Sequence, residues 1–89
     1  MISVLVRAQV IDIAPIKEYV DFVVKADLGV LRKIPPLVGE ELTAPQVEEL
    51  AAQLEKYDNP PEPERAILLL LRDGAIRRAR EFKTGMRFV

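Results

Sequence analysis

The chain of 89 residues contains no cysteine, no histidine and no tryptophan, and these absences exclude many kinds of functional site. Without cysteine there is no disulfide and no thiolate nucleophile, and zinc sites need histidine or cysteine. Most nucleophile–base pairs also need one of these residues or a well-placed serine, and the one serine, Ser3, lies in a predicted strand. The four glycines stand apart rather than in a phosphate-binding loop. We therefore predict no catalytic residue, no metal and no cofactor.

The sequence also lacks long apolar runs. No segment reaches the roughly 18 apolar residues of a membrane span, and the first residues lack the pattern of a signal peptide. Together with the absence of cysteine, this leads us to expect a cytoplasmic protein with no membrane partner. High charge, few amides and seven prolines resemble the composition of thermophile proteins.

Charge is unevenly distributed along the chain. Residues 1–64 carry twelve acidic and six basic side chains, a net charge of −6, whereas residues 65–89 carry seven basic and two acidic side chains, a net charge of +5. The net charge of the whole chain, −1, hides this division. Such asymmetry indicates either an anionic partner or two parts of the protein that attract each other.

The hydrophobic pattern predicts a single α+β domain over residues 1–89. Apolar residues alternate from Ile2 onwards and predict a strand over 2–13. The alternation changes phase after Val10, and a bulge there would return the apolar side chains to the same face of the sheet. Pro15 marks a turn, and the β-branched and aromatic residues of 18–26 favour a second strand, antiparallel to the first, over a helix that starts at Pro15. Residues 30–42, with two prolines and Gly39, predict a packed loop with a short turn of helix.

Two or three helices follow and are expected to pack on one face of the sheet. Thr43 and Gln46 have the spacing of a capping box and predict a helix over 44–57. A proline-rich connector precedes a second helix over 63–73, and a third over 75–83 is either continuous with it or kinked at Gly74. Gly85 is the expected helix C-cap, and residues 86–89 could add a short edge strand.

The run Ile67–Leu71 is the first candidate for function. A helix that is apolar on every side must be covered from several directions, and 49% hydrophobic content is high for so small a chain. The alternative is that this run is simply the buried helix of one small core. We favour a non-catalytic module that forms a homo-oligomer or binds a protein partner, with an interface made by Ile67, Leu69, Leu70 and Phe82. A small enzyme without histidine or cysteine ranks third among the hypotheses.

The second hypothesis is a nucleic-acid-binding module. Its candidate contacts, to nucleic acid or to an acidic partner, are the basic residues after position 71: Arg72, Arg77, Arg78, Arg80, Lys83 and Arg87. The segment 65–76 resembles the helix and glycine turn of winged-helix domains and of replication-complex accessory subunits, which implies nucleic-acid binding. Against this, the isoelectric point is near 5.4, no aromatic side chain interleaves the arginines, and the same arginines could pair with Glu48, Glu49 and Glu55.

Overall fold

The computed structural model describes residues 1–32 and 39–89 and confirms an α+β fold. Four antiparallel strands form one sheet in the order β2-β1-β4-β3, and the helices pack on one of its faces. The strands are β1 (Ile2–Val6), β2 (Gln9–Ala14), β3 (Glu41–Leu42) and β4 (Met86–Phe88). The helices are α1 (Ile16–Lys25), α2 (Gly29–Arg32), α3 (Ala44–Leu54), α4 (Glu64–Leu69) and α5 (Arg77–Glu81), with a π-helical segment (Leu70–Ile76) between the last two. Of the packed loop predicted over 30–42, residues 33–38 lie outside the described residues.

The N-terminal strand pair is present, but both of its strands come from the segment predicted as one. A two-residue turn at Arg7 and Ala8 reverses the chain, so that Val6 pairs with Gln9. Arg7 adopts a φ of 56°, a conformation that a turn normally assigns to glycine or asparagine. The irregular alternation after Val10 therefore reflects a second strand, and the register shift lies further on, opposite Ile2 and Ser3.

The second strand predicted over 18–26 is wrong, because this segment forms helix α1. Its inward residues, Tyr19, Phe22 and Val23, follow helical spacing, and their burial outweighs the strand preference of the valines. The ring of Tyr19 packs against Phe88 of the sheet, with 6.1 Å between ring centroids. Burial of an amphipathic face therefore decided the structure of this segment.

Helix α3 begins where the capping box predicts. The backbone amide of Gln46 donates to Thr43 Oγ1 at 3.4 Å, and the backbone amide of Thr43 donates to Gln46 Oε1 at 2.9 Å. The helix buries Val47, Leu50 and Leu54 and ends at Leu54, three residues before the predicted end. Tyr57 follows the turn at Glu55 and Lys56 and is half-buried.

The two predicted C-terminal helices are one continuous structure, named here the C-terminal helix (64–81), which passes through Gly74 as a π-helical segment. Residues four apart drift by about 40° around an α-helix. The wider π turn compensates for this drift and keeps the row Ile67, Leu71, Ala75 and Ala79 buried. The helix-and-glycine-turn cadence of 65–76 is therefore not realised, since Gly74 lies inside a helix.

The end of the C-terminal helix is set by Lys83 rather than by Gly85. Lys83 has a φ of 52°, and the amides of Thr84 and Lys83 donate to the carbonyls of Ala79 and Arg80 at 2.9 and 3.2 Å. This is a Schellman cap with a non-glycine residue in the left-handed position. Gly85 instead lies so close to β3 that a Cβ there would overlap the carbonyl oxygen of Leu42. The last strand, β4, is central in the sheet and not an edge strand, because it lies between β1 and β3.

Candidate functional site

The leucine run is divided between the core and the surface. Ile67, Leu68 and Leu71 are 2, 2 and 0% exposed, whereas Leu69 and Leu70 are 40 and 41% exposed. Ile67 therefore belongs to the core of its own chain and cannot contact a partner, which removes it from the predicted interface surface. The run is apolar on every side of the helix, as the sequence shows. The chain covers only one of those sides and leaves Leu69 and Leu70 exposed on the other.

Phe82, the remaining interface candidate, lies near the turn of the β1–β2 hairpin. Its side chain is 49% exposed, and the guanidinium carbon of Arg7 stacks 4.5 Å from the ring centroid. A cation over an aromatic face is stabilising by about 0.5–1 kcal/mol at exposed sites. The contact joins the end of the C-terminal helix to the start of β2, and it leaves half of the ring in solvent.

Five residues at i,i+4 spacing lie along one flank of the C-terminal helix and its last turn. We name this set the β2-facing flank: Ala66, Leu70, Gly74, Arg78 and Phe82. Gly74 faces Ile11 of β2, since a Cβ at this glycine would lie 3.6 Å from Ile11 Cγ2, and Phe82 lies under Arg7. From Gly74 to Phe82 the helix advances by eight residues, and from Ile11 back to Arg7 the hairpin strand runs four residues. Both distances are about 12–14 Å, so this flank runs alongside β2.

The opposite flank of the C-terminal helix forms a charged groove with α3. The groove has a volume of about 720 Å³, and its floor is Ala51 and Ile76. The charged residues that line it are Glu48, Glu55, Arg72, Asp73, Arg77, Arg80 and Glu81. Four carboxylates face three guanidinium groups, so the groove carries nearly balanced charge and no excess of positive charge.

Two arginines of the groove already have carboxylate partners. Arg80 Nε donates to Glu48 Oε1 at 3.1 Å, and Arg72 Nε donates to Asp73 Oδ1 at 3.2 Å. The expected pairing of a C-terminal arginine with an α3 glutamate is confirmed for Arg80 and Glu48. Arg77 and Arg80 share the groove, whereas Arg78 does not line it.

The two remaining basic candidates lie on different elements. Lys83 forms the helix cap and lines a smaller neighbouring cavity together with Arg80 and Glu48. Arg87 lies in β4, where its strand partners are Leu5 and Glu41. Arg87 is exposed on the sheet face that the helices leave open. Arg78 and Arg87 therefore lie away from the other four basic residues, and carboxylates interrupt the surface that those four share.

Titratable groups with shifted pKa values lie outside both flanks. Burial raises the pKa of the Tyr19 hydroxyl, which has no hydrogen-bond partner among the described residues. A hydrogen bond of 2.9 Å from Lys25 Nζ to Glu64 Oε1 lowers the pKa of Glu64 and raises that of Lys25. Tyr19 is a core residue and the ion pair joins α1 to α4, so both have structural explanations.

A second groove is lined by acidic residues. Its volume is about 540 Å³, and Glu40, Glu41 and Glu49 line it together with Gln46 and Gln53. Within residues 1–32 and 39–89, no group of three or more carboxylates is arranged to hold a metal ion. In the same ranges, no helix is long and apolar enough to cross a membrane.

Comparison with known proteins adds no relative: no protein-family model matches the chain, and no curated protein or solved structure is significantly similar to it.

Proposed function

We propose that the protein is a non-catalytic, self-associating module whose interface includes the exposed leucines of the C-terminal helix. The observation that carries the proposal is that Leu69 and Leu70 are 40 and 41% exposed beside residues that fill the core. Phe82, at 49%, adds exposed apolar surface at the hairpin end of the same helix. An exposed apolar patch on a small domain is typical of a protein–protein contact.

The balance of charge supports the same choice. Arginines that would bind phosphate in a nucleic-acid interface are instead opposed by carboxylates in the groove, and two of them are hydrogen-bonded. Phosphate binding depends on positive charge that is free to replace counterions. The nucleic-acid hypothesis therefore has weaker support than association through apolar side chains.

The test is the molar mass in solution, measured by light scattering at low and high salt. We expect a dimer or larger species at micromolar concentration, which persists at high salt because apolar contacts are not screened. Leu69→Glu and Leu70→Glu should dissociate it, because each buries a charge at the interface.

Ala52→Glu is the matched control, since Ala52 is an exposed helical residue of α3 and the change introduces the same charge. It should leave the molar mass unchanged. A wild-type protein that remains a monomer at high micromolar concentration would overturn the proposal.

A further inference from the structure

The outer edge of β2 carries unpaired backbone groups. β2 is the terminal strand of the sheet, and within the described residues only β1 pairs with it. The amide and the carbonyl of Ser3 both bond to Val89, at 3.1 and 2.9 Å, so the pair Ser3–Asp12 shares no backbone hydrogen bond. Because such pairs alternate along an antiparallel ladder, the N–H and C=O groups of Val10 and Asp12 point away from β1.

This edge has few of the features that prevent edge strands from pairing. Natural edge strands are short, carry lysine or proline, or are covered. β2 is six residues long, contains neither lysine nor proline, and exposes Val10 by 60%. The carboxylate of Asp12 accepts a hydrogen bond of 2.7 Å from Ser3 Oγ on the open face of the sheet, so it does not lie across the edge.

The β2-facing flank extends this edge into the helical layer. Leu70 and Phe82 are exposed on it, and Gly74 between them has no side chain. A Cβ at Gly74 would lie 3.6 Å from Ile11 Cγ2, and Ile11 is also the midpoint between Val10 and Asp12. The centre of the free strand edge and the centre of the helix flank therefore lie close together.

We propose, resting on the proposed function, that the partner is a second copy of this chain, which pairs its β2 antiparallel with β2 to form one continuous sheet. A twofold axis beside Ile11 pairs Val10 of each copy with Asp12 of the other, so every outward donor meets an acceptor and the two Asp12 carboxylates stay apart. The same axis passes Gly74, so the two helix flanks meet at their glycines. Each Leu70 then lies near the stem of the other copy's Arg78. In a second copy both the β2 edge and the helix flank find a matching surface, whereas an unrelated extended peptide would match the strand edge alone. The second copy is therefore the favoured partner.

The test is Val10→Pro, because proline removes one outward N–H and leaves the bonds between β1 and β2 intact. Val10→Thr is the matched control, since threonine is also β-branched and keeps the N–H. We expect Val10→Thr to keep the wild-type molar mass and Val10→Pro to weaken dimerisation by roughly tenfold or more. The circular dichroism spectra of the three proteins should agree.

Amide hydrogen exchange gives a second readout that does not depend on a variant. The amides of Val10 and Asp12 should be protected in concentrated wild-type protein and exchange freely on dilution to the monomer. Free exchange at both sites in an oligomeric sample, or a Val10→Pro variant that remains as tightly associated as wild type, would overturn this inference. If Leu70→Glu still dissociated that oligomer, the proposed function would stand. A wild-type monomer would overturn both.

Discussion

The two flanks of the C-terminal helix differ in whether the chain itself supplies partners for their side chains. The flank toward α3 carries arginines, and the chain supplies carboxylates for them across a groove, as in the 3.1 Å contact between Arg80 and Glu48. The flank toward β2 carries Leu70 and Phe82, which are 41 and 49% exposed. Charged side chains are well solvated in water, whereas covering an apolar flank with another surface lowers the free energy. The comparison indicates which side of the helix is available to a partner.

The largest expected effect distinguishes inward from outward leucines. Leu71→Ala removes a side chain that is fully buried and should lower the free energy of unfolding by about 2–5 kcal/mol. Leu70→Ala, one residue away, should lower it by under about 1 kcal/mol in the monomer, because the side chain is already 41% exposed. Urea denaturation at a protein concentration low enough to keep the chain monomeric measures both. Equal losses would mean that Leu70 belongs to the core and that the two sides of the helix do not differ.

A smaller effect concerns the glycine at the centre of the β2-facing flank. No glycine among the described residues has a positive φ, and a Cβ at Gly74 would lie at ordinary contact distance, 3.6 Å, from Ile11 Cγ2. Gly74→Ala should therefore stabilise the monomer by up to about 1 kcal/mol, because alanine is the better helix former. The thermal midpoint should rise by roughly 4–8 °C per kcal/mol.

Gly85→Ala is the contrasting glycine change, since its Cβ would overlap the carbonyl oxygen of Leu42. It should lower the thermal midpoint. A Gly74→Ala variant that also loses stability would show that the π-helical segment has no room for a methyl group beside β2.

The smallest effect is expected for the C-terminal arginines, of which Arg77 and Arg80 line the charged groove and Arg78 lies on the β2-facing flank. Replacing Arg77, Arg78 and Arg80 by glutamine removes the Arg80–Glu48 pair, whose side chains are 47 and 57% exposed. Exposed pairs contribute about 0.2–1 kcal/mol and less at high salt, so the thermal midpoint should fall only slightly. Neither wild type nor the triple variant should bind a DNA duplex at micromolar concentration in 150 mM salt. Duplex binding by wild type that the triple variant loses would reverse the comparison and favour a nucleic-acid interface.

Some elements could be predicted from the sequence because their determinants are local. The start of α3 depends on hydrogen bonds between Thr43 and Gln46, three residues apart, and it lies where the spacing places it. The α+β class and the exposure of acidic and basic side chains likewise follow from periodicity. The sequence alone singles out Leu69, Leu70 and Phe82 as candidates for a contact surface, but not the β2 edge. The signal for that edge is the irregular alternation after Val10, which by itself favours a bulge.

Tertiary structure decided the elements whose local preferences were weak or conflicting. Residues 18–26 favour a strand by composition, but the chain forms a helix over Ile16–Lys25, because only a helix buries Tyr19, Phe22 and Val23 together. Arg7 and Lys83 take left-handed conformations that local sequence assigns to glycine. Arg7 is held by the pairing of Val6 with Gln9 across its turn, and Lys83 by the capping bonds to Ala79 and Arg80.

By itself, the sequence determined the α3 cap, the amphipathic character of its helices and the division of charge, because these depend on neighbours a few residues apart. Only the tertiary structure decided that Met86–Phe88 is a central strand, that Ile67 is core while Leu70 is surface, and which strand is left at the edge. Strand order and helix orientation depend on contacts between residues far apart in the chain. The free energy of those contacts is realised only when the whole core assembles.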